Sequence, residues 1–104
     1  LIYVRQMKLE SLKAYRDEIL NIAQSCHAPN IRVFGSVARG EATDSSDIDF
    51  LVDVAPEQSV LDLIRLIQTL SDLLGCKVDV AQSTALNPLM RDEVLKDAIA
   101  LEKL

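Results

Sequence analysis

Near the middle of the chain, Asp47 to Val54 read DIDFLVDV. Successive side chains of a strand leave opposite faces, so Asp47, Asp49, Leu51 and Asp53 share one face and Ile48, Phe50, Val52 and Val54 the other. A strand divided in this way needs an apolar layer on one side and an open polar surface on the other.

Helical patterns supply that layer. Leu9, Leu12, Tyr15, Arg16, Ile19, Ile22, Ala23 and Cys26 recur at three- and four-residue steps, which predicts one amphipathic helix, its pattern starting near Met7 and ending before Pro29. Residues 1–6 read as an extended start or a remnant preceding the domain and carry no assigned function. Ser59 and Asp62 have capping-box spacing, and Val60, Leu61, Leu63, Ile64, Leu66, Ile67, Leu70, Leu73 and Leu74 form a broad apolar face running to Gly75. A domain this small can leave part of that stripe uncovered, and the remainder would suit a partner protein or a second copy of the chain. Asn87 and Pro88 suit the cap and first position of a last helix through Leu89, Met90, Val94, Leu95 and Ala98, after which AIAL reads as helix or strand.

Two further strands are expected, a buried one at Ile31–Phe34 and a short one at Lys77–Ala81, KVDVA. The order is helix, strand, polar turn, strand, helix, strand, helix. The expected fold class is α/β of the α+β kind, a small mixed β-sheet with helices packed on one face. At 104 residues the whole chain, 1–104, is one domain.

Composition excludes several function classes. With 49% hydrophobic and 26% charged residues the chain is too apolar for disorder. No apolar run approaches the ~20 residues of a membrane span, and no basic-then-apolar leader is visible, so a cytoplasmic protein without membrane contact is expected. The net charge is −5 and the eleven Lys and Arg are scattered, which argues against independent binding of nucleic acid. Cys26 and Cys76 stand among aliphatic residues as small core side chains, and His27, the only histidine, reads as a surface or capping residue.

The chemistry concentrates in FGSVARGEATDSSDIDF, Phe34 to Phe50. Asp47 and Asp49 leave one face about 6.6 Å apart along the backbone. Carboxylates placed like this can share hard divalent cations such as magnesium, and two-metal sites of this type, with ions ~3.5–4 Å apart, clamp the attacking and leaving oxygens of a nucleotidyl transfer. Like charges so close raise each other's pKa, a cost that a bound cation removes. Gly35 lets backbone approach a ligand, Ser36 to Arg39 can form a short helix closed by Gly40, and outward amides at its start attract anions. The Ser36 hydroxyl can donate to a terminal phosphate and Arg39 can reach back towards it. Asp79, if its strand lies beside 47–54, can join the acids as shared metal ligand or general base. Asp44, Ser45 and Ser46 read as a turn, with Ser46 capping or lining the site, and Asp53 is expected in solvent outside the site.

These residues resemble the nucleotidyltransferase superfamily of DNA polymerase beta, and within it the minimal nucleotidyltransferases, or MNT domains, with a pattern near GSxARGExxxxSDID. Here that is Gly35, Ser36, Ala38, Arg39, Gly40, Glu41, Ser46, Asp47, Ile48 and Asp49. The resemblance covers the chain from about Met7. It implies that Asp47, Asp49 and Asp79 are catalytic and hold two magnesium ions, that Gly35, Ser36, Arg39 and Ser46 bind the nucleotide, and that ATP is the substrate. It gives Glu41 no role. It further implies a HEPN-domain toxin as partner, neutralised by transfer of AMP to a toxin tyrosine. Relatives acting on tRNA ends or aminoglycosides carry extra domains for the acceptor, so here the acceptor would be bound largely by another chain. The alternatives are an antitoxin that masks its toxin by contact alone, and a transferase that modifies a small molecule such as an antibiotic.

Overall fold

The divided strand is β2, Ile48–Val52 in a computed structural model that describes residues 8–41 and 47–104. Ile48, Phe50 and Val52 are fully buried, as the two-residue period requires. They meet Leu66, Leu70 and Leu74 in the main core. These leucines come from α4, Val60–Leu74, four residues apart on one stripe. Burying each contributes roughly 1.5–3 kcal/mol. The start of α4 is set by the reciprocal capping box: the Asp62 amide donates to Ser59 Oγ at 3.1 Å and the Ser59 amide to Asp62 Oδ2 at 3.1 Å. Its end is Gly75, at φ +67°.

α4 is the crossover that returns the chain parallel to β2 as β3, Val78–Gln82. On its other side β2 pairs antiparallel with β1, Arg32–Phe34, and β1 pairs antiparallel with β4, Ile99–Ala100. The sheet order is β3-β2-β1-β4, so the AIAL segment resolves as an extended edge. Between β1 and β2 lies α3, Gly35–Arg39, stopped by Gly40 at φ +75°. α5, Pro88–Asp97, begins where the Asn87 side chain accepts the Leu89 amide at 3.0 Å, and it ends one residue short of Ala98.

The N-terminal helix departs from expectation. It is two helices, α1 over Leu9–Ala14 and α2 over Arg16–Ser25, broken at Tyr15, whose amide bonds to Leu12 at 3.0 Å in the tighter three-residue step. Arg16, which falls on the apolar stripe by spacing, instead donates through Nε to the Leu101 carbonyl at 3.2 Å and through a terminal nitrogen to the Glu102 carbonyl at 2.9 Å. Leu12 of α1 and Ile19 of α2 are both fully buried, so the two helices keep a common apolar side across the break. Cys26 is core, and Cys76 is half-buried. His27 sits on the surface, its Nδ1 3.1 Å from Asp62 Oδ2 beside the α4 cap. Among the described residues no helix is long and apolar enough to cross a membrane.

Candidate active site

Parallel pairing of β2 with β3 sets Asp49 opposite Asp79, so both carboxylates leave the same face of the sheet on adjacent strands. Asp79 is exposed, on the outermost strand, whereas Asp49 is half-buried. Burial raises the Asp49 pKa most, and repulsion from Asp79 and Asp47 adds to it, while the positive charge of Arg39 opposes the rise. Asp49 therefore feels both of the other acids.

Gly35 explains why Asp49 is partly covered. It follows Phe34, the register partner of Asp49, at φ +74°, and a Cβ placed on it would lie 2.6 Å from Asp49 Oδ2. Only a residue without a side chain allows the α3 backbone to lie directly on that carboxylate. Gly35 and Ser36 open α3, whose first amides have no acceptor within the helix. The expected Gly-Ser turn, short helix and acid strand are thus brought together.

Other expected residues are placed differently. Asp47 lies just before β2 with its Oδ2 3.5 Å from Lys77 Nζ, so its carboxylate is turned partly to a lysine that spacing did not single out. Arg39 is engaged by two acids among the described residues. Its Nε donates to Glu41 Oε2 at 3.1 Å and its Nη1 to Asp97 Oδ2 at 2.9 Å, which assigns Glu41 a contact and adds Asp97 to the neighbourhood. Asp53 is not simply solvated, since it accepts from Arg32 at 2.6 Å and from the Asn30 amide at 2.9 Å. Ser46, with Asp44 and Ser45, lies outside the described residues.

The donor chemistry suits a hard cation, because carboxylate oxygens repel one another until a positive charge enters. The geometry is less complete, and among the described residues no three His, Cys, Asp or Glu side chains converge as a ready-made metal cage. Asp49 and Asp79 are aligned for a shared ion, and Asp47 would have to exchange Lys77 for it.

A mixed sheet carrying an acid pair on neighbouring strands, with a Gly-Ser helix start packed on one of the acids, defines a nucleotidyl-transfer fold. The chain belongs to the nucleotidyltransferase domain family, whose sequence model matches residues 16–101, and it is a nucleotidyltransferase. Protein adenylyltransferase MntA of Thermococcus cleftensis is 41% identical over 69 residues, covering 66% of this chain and 70% of that protein. A solved chain assigned as a minimal nucleotidyltransferase superposes with a TM-score of 0.80 at 44% identity, covering 89% of this chain and 95% of the other. The same fold recurs in the complex of a tri-AMPylated Shewanella oneidensis HEPN toxin with its MNT antitoxin, at a TM-score of 0.65 and 20% identity over 86% of this chain and 70% of that one.

Proposed function

We propose that the chain is a magnesium-dependent protein adenylyltransferase that moves AMP from ATP to a tyrosine of a HEPN toxin and so acts, in the cytoplasm, as the antitoxin of that toxin. The observation that carries the reading is the pairing of Asp49 with Asp79 on one face, with Gly35 backbone laid against Asp49. The names of the relatives support protein as acceptor and a HEPN toxin as partner, and a fold relative described as a toxin-antitoxin with AMP-PNP supports an adenine nucleotide as donor.

In this reading the amides at the start of α3 and the Ser36 hydroxyl receive the triphosphate, with Arg39 as counter-charge. Asp47, Asp49 and Asp79 would hold magnesium, which supplies neutralisation of phosphate charge when bound. Asp79, open at the sheet edge, accepts the proton of the tyrosine hydroxyl. The tyrosine oxygen forms a bond to the α-phosphorus as the bond from that phosphorus to the bridging oxygen breaks, and pyrophosphate leaves with the electron pair.

The test is incubation with α-labelled ATP, magnesium and the co-purified partner, followed by mapping of the label. Label on a toxin tyrosine, lost in Asp47→Asn and Asp49→Asn, is expected. Full neutralisation of the toxin by those two variants would establish masking by contact instead. Label appearing on a low-molecular-weight acceptor without any partner would establish the small-molecule enzyme.

A further inference from the structure

Arg39 ends α3, the helix whose Gly35 backbone lies against Asp49, and its guanidinium is held by a residue far away in sequence. Its Nη1 donates to Asp97, the last residue of α5, across 58 positions, and its Nε donates to Glu41. An arginine carries five N–H donors in a rigid plane. Fixing it at Nε and Nη1 sets the plane while the Nη2 group keeps no partner among the described residues. The pair lines a polar cleft of about 260 Å³ together with Glu93 and Lys96.

Both ends of the contact hang from the same strand. β1 leads straight into α3, which carries Arg39 at its end. Asp97 stands two residues before Ile99, which pairs with Val33 of β1. The Asp97 side chain is only 24% exposed, against 43% for Arg39, so the carboxylate is the better-anchored member.

We propose that Asp97 is a positioning residue for nucleotide binding: by gripping Arg39 at Nη1 it aims the remaining guanidinium donors at the phosphate tail, although it touches neither substrate nor reacting atoms itself. The inference rests on the nucleotidyltransferase reading of the Gly35–Asp49 site. It assigns a role to α5, an element that buries little of itself in the core.

The test measures equilibrium binding of a non-hydrolysable ATP analogue with magnesium, and the KM for ATP in AMP transfer, for folded variants checked by circular dichroism. Asp97→Asn weakens binding about tenfold, the scale of one charge-assisted hydrogen bond, and raises KM in step with little change in kcat. Asp97→Glu restores binding to within about threefold of wild type. In an Arg39→Ala background, Asp97→Asn changes binding less than about twofold, because its effect passes through the arginine. Unchanged or tighter binding by Asp97→Asn overturns the proposal, as does an undiminished loss in the Arg39→Ala background. Failure of the wild-type chain to bind the analogue overturns the parent reading instead.

Discussion

Replacing Gly35 with alanine tests the close approach on which the site depends. Two costs are separable. The backbone there is at φ +74°, where an L-residue loses roughly 1–2 kcal/mol. The new Cβ would also stand 2.6 Å from Asp49 Oδ2, nearer than atoms tolerate, so the carboxylate must turn away at about 0.5–1.5 kcal/mol if it leaves its rotamer. Gly40 is the internal control, since it has φ +75° and nothing among the described residues within 4 Å of an added Cβ. Gly40→Ala should therefore lower Tm by about 5–10 °C through backbone strain alone, and Gly35→Ala by more. In an Asp49→Ala background, where the opposing Oδ2 is gone and Asp49 Cβ lies at an ordinary 3.6 Å, the Gly35→Ala penalty should shrink to that of Gly40→Ala. Activity separates the two glycines further, because a displacement near 1 Å of a reacting group costs on the order of a hundredfold. Thermal melts give the stabilities, and initial rates of label transfer at a temperature where all variants are folded give the activities. A Gly35→Ala protein that transfers as fast as Gly40→Ala, or a Gly35→Ala penalty that persists undiminished without Asp49, refutes the reasoning.

Three other outcomes are expected. Asp49 has its pKa raised from 3.8, by burial first and then by Asp79 and Asp47, so its ionised form is a net cost to the fold; metal-free wild type should gain stability as pH falls from neutral through the raised value, and melts of Asp49→Asn in chelator should lose that slope. Asp53 has its pKa lowered from 3.8, chiefly by the Asn30 amide, and so stabilises above that value and loses its contribution as pH falls through the lowered one; since the side chain is 42% exposed, Asp53→Asn should cost under about 1 kcal/mol in urea titrations at pH 7. Asp79→Asn should slow AMP transfer by about 10²–10⁴ while binding of the nucleotide analogue stays within a few-fold, and a variant that retains full kcat removes the general-base assignment.

The parts of the fold written in local chemistry were legible. β2 follows from period two, α4 from the Ser59–Asp62 box and Gly75, and α3 from the glycines that bracket it. Long-range pairings were not. That Asp79 falls level with Asp49 depends on how far α4 carries the chain before β3 begins, a distance set by packing of Leu66, Leu70 and Leu74 on β2. Arg16 binds carbonyls of Leu101 and Glu102, 85 and 86 positions away, and the hold of Asp97 on Arg39 spans 58 positions. No pattern within any one element encodes such contacts.

The acid face of β2 is not open along its length. Leu51 alternates onto that face between Asp49 and Asp53 and is nevertheless fully buried. Asp53, at the far end, is engaged by Arg32 and Asn30. Among the described residues, the usable polar surface is thus at the end of the sheet where Asp49 meets Gly35, and on the β1 side that end is occupied by the α3 backbone. On its other side β2 is flanked by β3, which is the sheet edge and carries the exposed Asp79. In the proposed reading, an acceptor hydroxyl arriving over β3 meets the exposed Asp79 before the more buried Asp49, the order that a base followed by a phosphate-bearing centre would require.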